Sequence, residues 1–179
     1  MNLNIVRLDI DESFPMPQTP RPGDAGVDLI AATGGILSPG DSMVVGCGFS
    51  MEVPENFVGL VCPRSGLSAQ HHISVGNAPG VIDSSYRGEV KVILEHRGHK
   101  YTGAFRWRRG DRIAQLVIVP YAHVESVIEV KELSNSDRGS GGFGSTGVAT
   151  SNVNVLSVAA SEAPTEETTV KMRSKKANK

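Results

Sequence analysis

The sequence predicts an all-β protein, a sandwich, barrel or jelly roll. Three observations carry this. Short runs rich in Val, Ile and Leu recur between residue 3 and about residue 130, bounded by Gly, Pro or Asp. In one of them Glu89, Lys91, Ile93 and Glu95 alternate with Val90, Val92, Leu94 and His96, a period close to two. Strong helix signals are missing, apart from one short stretch.

Taken in chain order, Gly23-Asp24-Ala25-Gly26-Val27-Asp28-Leu29 is an early polar turn running into an apolar pair. Its two carboxylates suit Asx turns, or a divalent cation held together with a phosphate. Pro39-Gly40-Asp41 is turn chemistry and leads into a strand at 44–53, followed by one at 58–62. Pro63-Arg64-Ser65-Gly66-Leu67 then opens a short helix from Ser65 to about His71. Ser65 either caps that helix or joins Arg64 and the free first-turn N–H groups in holding an anion. Pro79-Gly80 makes a turn, and Gly88 precedes a strand at 88–95. Arg109-Gly110-Asp111 turns the chain into a buried strand at 112–120, where Gln115 must find a partner, a ligand phosphate or backbone.

The chain of 179 residues is read as one domain, large enough for a core without staples. A net charge of −1 excludes the electrostatic footprint of a duplex-binding or anionic-membrane protein. Cys47 and Cys62 form no CxxC pattern and no disulfide framework, so reduced thiols and a cytoplasmic setting are expected. The N-terminus lacks a basic and then apolar leader, and no apolar run is long enough to span a bilayer. There is no internal repeat. The histidines show no zinc spacing and are expected at the surface.

After Gly147 the composition shifts to Thr, Ser, Ala, Glu and Lys, with no aromatic residue. The organisation expected is a β-core at 1–137, a glycine-rich arm at 138–147 and a disordered tail at 148–179. The basic end of that tail, 171–179, is either simply solvated or a nucleic-acid or partner contact.

The arm carries the densest chemistry. Residues 138–147 combine Arg138, five glycines, Phe143 and the hydroxyls of Ser145 and Thr146. Glycines let backbone N–H groups approach phosphate oxygens, and an arginine fork suits the same oxygens. An aromatic ring alone among glycines is placed to stack on a base. Gly139-x-Gly141-x-x-Gly144 formally matches the dinucleotide fingerprint, but no helical periodicity follows it and the chain ends too soon for that fold. No lysine precedes the Ser-Thr pair, so it is not a Walker A loop. A plain Gly/Ser linker is the bland alternative, and it gives no reason for the Arg and Phe.

The central segment Asn77-Ala78-Pro79-Gly80-Val81-Ile82-Asp83-Ser84-Ser85-Tyr86-Arg87-Gly88-Glu89 is the other rich one. Asp83 follows an apolar pair, where a hairpin can hold a carboxylate at a pocket mouth to take a proton from water. Asn77 offers a donor and an acceptor to a base edge, and Tyr86 a flat ring to a sugar. An ordinary hairpin with a polar turn is the plain reading of each residue alone.

In order, residues 23–29, 63–67, 80–89 with Asn77, 110–116 and 138–147 resemble the five motifs of the trimeric dUTPase family. The resemblance implies a jelly-roll-like homotrimer whose active sites lie between subunits, closed by the glycine-rich arm of another subunit. It implies hydrolysis of dUTP to dUMP and pyrophosphate with Mg²⁺. Carried over, Asp83 is the general base and Tyr86 packs under the deoxyribose, excluding a 2′-hydroxyl. Asn77 and the hairpin backbone at Val81 and Ile82 read uracil, and Lys91 joins the substrate-binding positions. Arg64, Ser65, Gly66 and Gln115 contact phosphates. Phe143 stacks on uracil, while Arg138, Gly144, Ser145 and Thr146 grip the phosphate tail. Asp28 organises the metal–triphosphate region indirectly, through water. Val27, Ser85 and His96 depart from the family's frequent residues, and the tail is longer than usual. Two other readings share the fold: a dCTP deaminase, which needs a glutamate acid/base, and a nucleotide-gated regulatory protein.

Overall fold

The computed structural model describes residues 1–18 and 21–142. Among them the chain forms β1 (Asn4–Arg7), β2 (Gly26–Ile30), β3 (Gly35–Leu37), β4 (Ser42–Glu52) and β5 (Phe57–Cys62). After one helix, α1 (Ser65–His71), come β6 (Ile73–Val75), β7 (Gly80–Ile82), β8 (Glu89–His96), β9 (Phe105–Trp107) and β10 (Arg112–Pro120). One four-stranded sheet has the order β1-β4-β8-β6, a second the order β2-β10-β5-β7, and β3 pairs with β9. Every pairing is antiparallel.

The period-two pattern works as expected. Val90, Val92 and Leu94 of β8 are fully buried while Lys91 is exposed, and Val45, Cys47, Phe49 and Met51 bury the facing side of β4. The second sheet contributes Leu29, Val61, Ile82, Ala114 and Leu116 to the same core. Each large side chain so buried contributes about 1.5–3 kcal/mol. The four longer strands lie within two residues of their expected bounds, and α1 matches its expected span. Among the described residues the last strand ends at Pro120, short of the expected limit near residue 130.

His96 corrects the surface expectation for the histidines. It is the inward residue at the end of β8, only 2% exposed. Its Nδ1 accepts from the Gly98 N–H at 3.1 Å, which leaves the proton on Nε2, facing the Gly103 carbonyl at 3.0 Å. The alternation of β8 sets its side, and the two loop partners make burial tolerable. His71, His72, His99 and His123 are exposed.

α1 buries no residue. Its sequence has no β-branched side chain, it enters from an extended Arg64, and it ends at a left-handed His72 whose N–H closes on the Leu67 carbonyl. It is a surface turn that sets where Arg64, Ser65 and Gly66 stand. Met1–Val127 forms one compact unit, and residues from Ile128 onward belong to a second, whose described part is exposed throughout.

Candidate active site

The expected site residues gather in two groups. The first stands on the sheet β2-β10-β5-β7. Gln115 of β10 lies opposite Asp28 of β2 on one side and Cys62 of β5 on the other. Because Pro63 and Arg64 directly follow Cys62, three adjacent strands deliver Asp28, Gln115 and Arg64 to one place. Arg64 Nε lies 3.1 Å from Asp28 Oδ1, and Arg112 Nη1 lies 3.6 Å from Asp28 Oδ2. Arg64 Nη1 also donates to the Arg112 carbonyl at 3.0 Å. These pairs are partly exposed, so each is worth only about 0–1 kcal/mol. Their effect is orientation: the carboxylate fixes one arginine fork and draws in a second.

Gln115 takes the backbone option. Its Nε2 donates to the Pro63 carbonyl at 2.9 Å. Its Oε1 lies 2.6 Å from where a Cβ of residue 26 would sit, so the amide keeps this place because the strand beside it carries Gly26. A cleft of about 780 Å³ opens here, lined by Asp24, Asp28, Arg64, Ser65, Gly66 and Gln115 among others. Ser65 does not cap α1: Arg64 holds the capping position, without a side-chain bond, and Ser65 is the first helical residue, exposed. Gly66 is also exposed, with open space where a Cβ would stand.

The second group is the segment after β6. β7 pairs with β5, Gly80 opposite Val61 and Ile82 opposite Gly59. Ile82 is buried in the core, whereas Val81 is 63% exposed. A ligand at this strand therefore meets the Val81 side chain and backbone, and only the backbone of Ile82. Asn77 and Asp83 flank β7 and are exposed. Among the described residues the Asp83 carboxylate has no hydrogen bond or ion pair. The Tyr86 N–H bonds the Asp83 carbonyl at 3.1 Å, closing the turn. Arg87 stiffens it: Nη1 donates to the Ser84 carbonyl at 2.6 Å and the Tyr86 carbonyl at 2.9 Å, and Nη2 meets Glu52 of β4 at 3.0 Å.

Within one chain these groups stay apart. Asp83 continues the register past Gly59, while Arg64 lies beyond Cys62, on the order of 15–20 Å away at roughly 3.3 Å per strand residue. Lys91 stands on the other sheet, 3.5 Å from Glu89. In the second unit Arg138 is exposed, its Nε donating to the Gly141 carbonyl at 2.8 Å. Phe143, Gly144, Ser145 and Thr146, like the tail 148–179, lie outside the described residues.

Sequence reasoning gave Arg112 no role, although it falls within the fourth motif. The signal was a cation on the same strand as Gln115, but a register shift between Arg112 and Ala114 changes its facing, and sequence does not print that shift. As for a metal, no three His, Cys, Asp or Glu side chains come together among the described residues. Asp28 and Asp24 offer hard oxygen donors to the cleft, a set that suits Mg²⁺ only when phosphate oxygens and water supply the rest.

A family model described as dUTPase matches residues 12–147. The chain is 46% identical over 148 residues to a deoxyuridine 5′-triphosphate nucleotidohydrolase of Clostridium acetobutylicum, covering 83% of this chain and 98% of that one. It is 47% identical over 150 residues to one of Rhizobium etli, covering 82% and 94%. Among solved structures it resembles a dUTPase of Staphylococcus bacteriophage 80alpha with dUpNHpp, at 30% identity and a TM-score of 0.74, covering 82% of this chain and 99% of that one. It also resembles a mutant dUTPase of phage phi11 of S. aureus, at 26% identity and a TM-score of 0.65, covering 74% and 98%. That protein is described as coordinating a structural Mg(II) ion.

Proposed function

The chain belongs to the dUTPase family and is a dUTP diphosphatase, hydrolysing dUTP to dUMP and pyrophosphate, and on that premise we propose how its residues divide the work. Asp83 is the general base. It stands exposed on a braced turn with no protein partner among the described residues, so a water can occupy its carboxylate. Taking that water's proton makes it a competent nucleophile toward phosphorus.

Arg64, Ser65, Gly66 and Gln115 receive the phosphates. Arg64 and Arg112 both lean on Asp28, and the fixed guanidinium donors they present at this cleft suit phosphate oxygens. Nothing among the described residues fills the space beside Gly66, so a phosphate oxygen can approach its backbone. Arg138 and residues 143–146 close over the phosphates and the base, excluding water. Asn77, with the backbone at Val81 and Ile82, reads the base edge, and Tyr86 packs against the sugar. Lys91 completes the substrate contacts from its own strand.

Mg²⁺ would be held mainly by the triphosphate, with Asp28 reaching it through water and holding the arginines in place. When bound it supplies charge neutralisation at the phosphates. We also place the protein in a reducing, cytoplasmic setting, in which Cys47 and Cys62 stay free.

The observation that carries the assembly is the separation of Asp83 from Arg64. A general base must reach its proton directly or through one water. Strand spacing keeps them far beyond that within a chain, so Asp83 of one subunit serves the phosphate cleft of another in a homotrimer. The dCTP deaminase and purely regulatory readings are not favoured, given relatives of 46% and 47% identity that carry the nucleotidohydrolase name. Incubation with Mg²⁺ and either dUTP or dCTP, with the products resolved, tests the substrate. Release of dUMP and pyrophosphate from dUTP alone is expected, and deaminated dCTP would contradict it.

A further inference from the structure

From the contact between Tyr86 and Gly88 we infer that Gly88 is a positioning residue for sugar selectivity: its missing side chain is the space in which the Tyr86 ring lies. The inference rests on the role given to Tyr86 above. Tyr86 sits on the turn and Glu89 starts β8, so the phenol reaches back along its own chain. Its hydroxyl donates to the Glu89 carbonyl at 2.9 Å. That bond draws the ring across residue 88. A Cβ there would stand 2.4 Å from the Tyr86 hydroxyl oxygen, 2.6 Å from Cζ and 2.9 Å from Cε2. No side chain is compatible with those distances, so a ring in this place demands glycine at 88.

The backbone itself makes no such demand. Gly88 does not have a positive φ. Its φ is therefore no bar to an alanine, and the nearest atoms such a Cβ would meet all belong to the ring. Tyr86 is 43% exposed, so the ring has solvent to turn into. Gly88→Ala therefore leaves the fold intact and moves one side chain, breaking the bond to Glu89. A ring that has swung away no longer occupies the 2′ face of the sugar. What discriminates deoxyribose is then a three-part device: the ring, the Glu89 carbonyl that anchors it, and the empty volume at 88.

The test compares the ratio of kcat/KM for dUTP over UTP in four proteins: parent, Tyr86→Ala, Gly88→Ala and the double variant, each with its thermal midpoint. Tyr86→Ala should lower the ratio about tenfold or more. Gly88→Ala should lower it comparably, with a midpoint close to the parent's. In the Tyr86→Ala background, adding Gly88→Ala should change neither ratio nor midpoint, because the alanine at 86 leaves room for a Cβ. If Tyr86→Ala relaxes selectivity but Gly88→Ala keeps the parent's ratio, the positioning role is wrong and the role of Tyr86 stands. If Tyr86→Ala leaves the ratio unchanged, both are wrong. If Gly88→Ala unfolds the protein in both backgrounds, glycine is needed for the backbone and the inference is overturned. If it unfolds only beside Tyr86, the ring does not swing aside as required and the inference is overturned as well.

Discussion

At the scale of single residues, the proposed mechanism gives Asp83 and the Arg64–Asp28–Arg112 cluster different parts of the reaction, and substitution should separate them. Asp83→Asn removes a base but no bulk. Binding of a non-hydrolysable dUTP analogue should stay near the parent's while turnover falls by about two or more orders of magnitude. Near-normal turnover would remove Asp83 from its role. Asp28→Asn removes the charge that holds both guanidinium groups, so KM for dUTP should shift by more than kcat does; equal losses in both would point to a direct part in the chemistry instead.

Cys47 gives a residue-scale statement about pH. Burial, with the Glu89 carboxylate adding to it, pushes its thiol up to about 12 from an ordinary value of 9.0. The folded state therefore holds this proton more tightly than the unfolded chain. That stabilisation is complete below about pH 9 and is lost as pH rises toward 12. Urea midpoints measured from pH 8 to 11 should fall at the alkaline end, and by less in Cys47→Ser, compared with its own value at pH 8. A thiol reagent at neutral pH should label Cys62, which is partly exposed, well before buried Cys47.

At the scale of elements, the longest strands were legible because burial writes period two into them. β8 is the clearest case, and the same alternation put His96 inside, against the surface expectation drawn from the absence of zinc spacing. β3, β6, β7 and β9 have three residues each, too few for a period, and were not assigned from sequence. α1 was legible from its turn residues and lack of β-branching. The site was legible as motifs, since glycines, carboxylates and arginines at fixed spacings survive in sequence. Its geometry was not: the pairing of Gln115 with Asp28, the register shift before Ala114 and the Gln115 bond to Pro63 are long-range facts. A core test belongs here. Leu94→Ala deletes a fully buried side chain of β8 and should cost about 2–5 kcal/mol in chemical denaturation. A loss below about 1 kcal/mol would mean the facing strands close the gap unaided.

At the scale of the whole molecule, the proposed division of the chain is a catalytic core at 1–137, a closing arm at 138–147 and a tail. Truncation after Asp137 removes Arg138, Phe143, Gly144, Ser145 and Thr146. It should weaken nucleotide binding and turnover strongly with little change in thermal midpoint, because the last described strand ends at Pro120 and the described residues beyond it are exposed. Truncation after Gly147 should keep hydrolysis near the parent's. Loss of hydrolysis in that longer, folded protein would move the boundary between arm and tail.

The central claim is that Asp83 of one subunit acts at the Arg64 cleft of another. Co-expression of Asp83→Asn with Arg64→Ala, each inactive alone, tests it most directly. In any mixed trimer one site of three pairs an intact Arg64 with an intact Asp83, so random equal mixing should restore about a quarter of the parent's dUTP turnover. Turnover that stays at the level of the two separate variants, in trimers shown by native mass to contain both chains, would contradict the claim and place the whole site within one subunit.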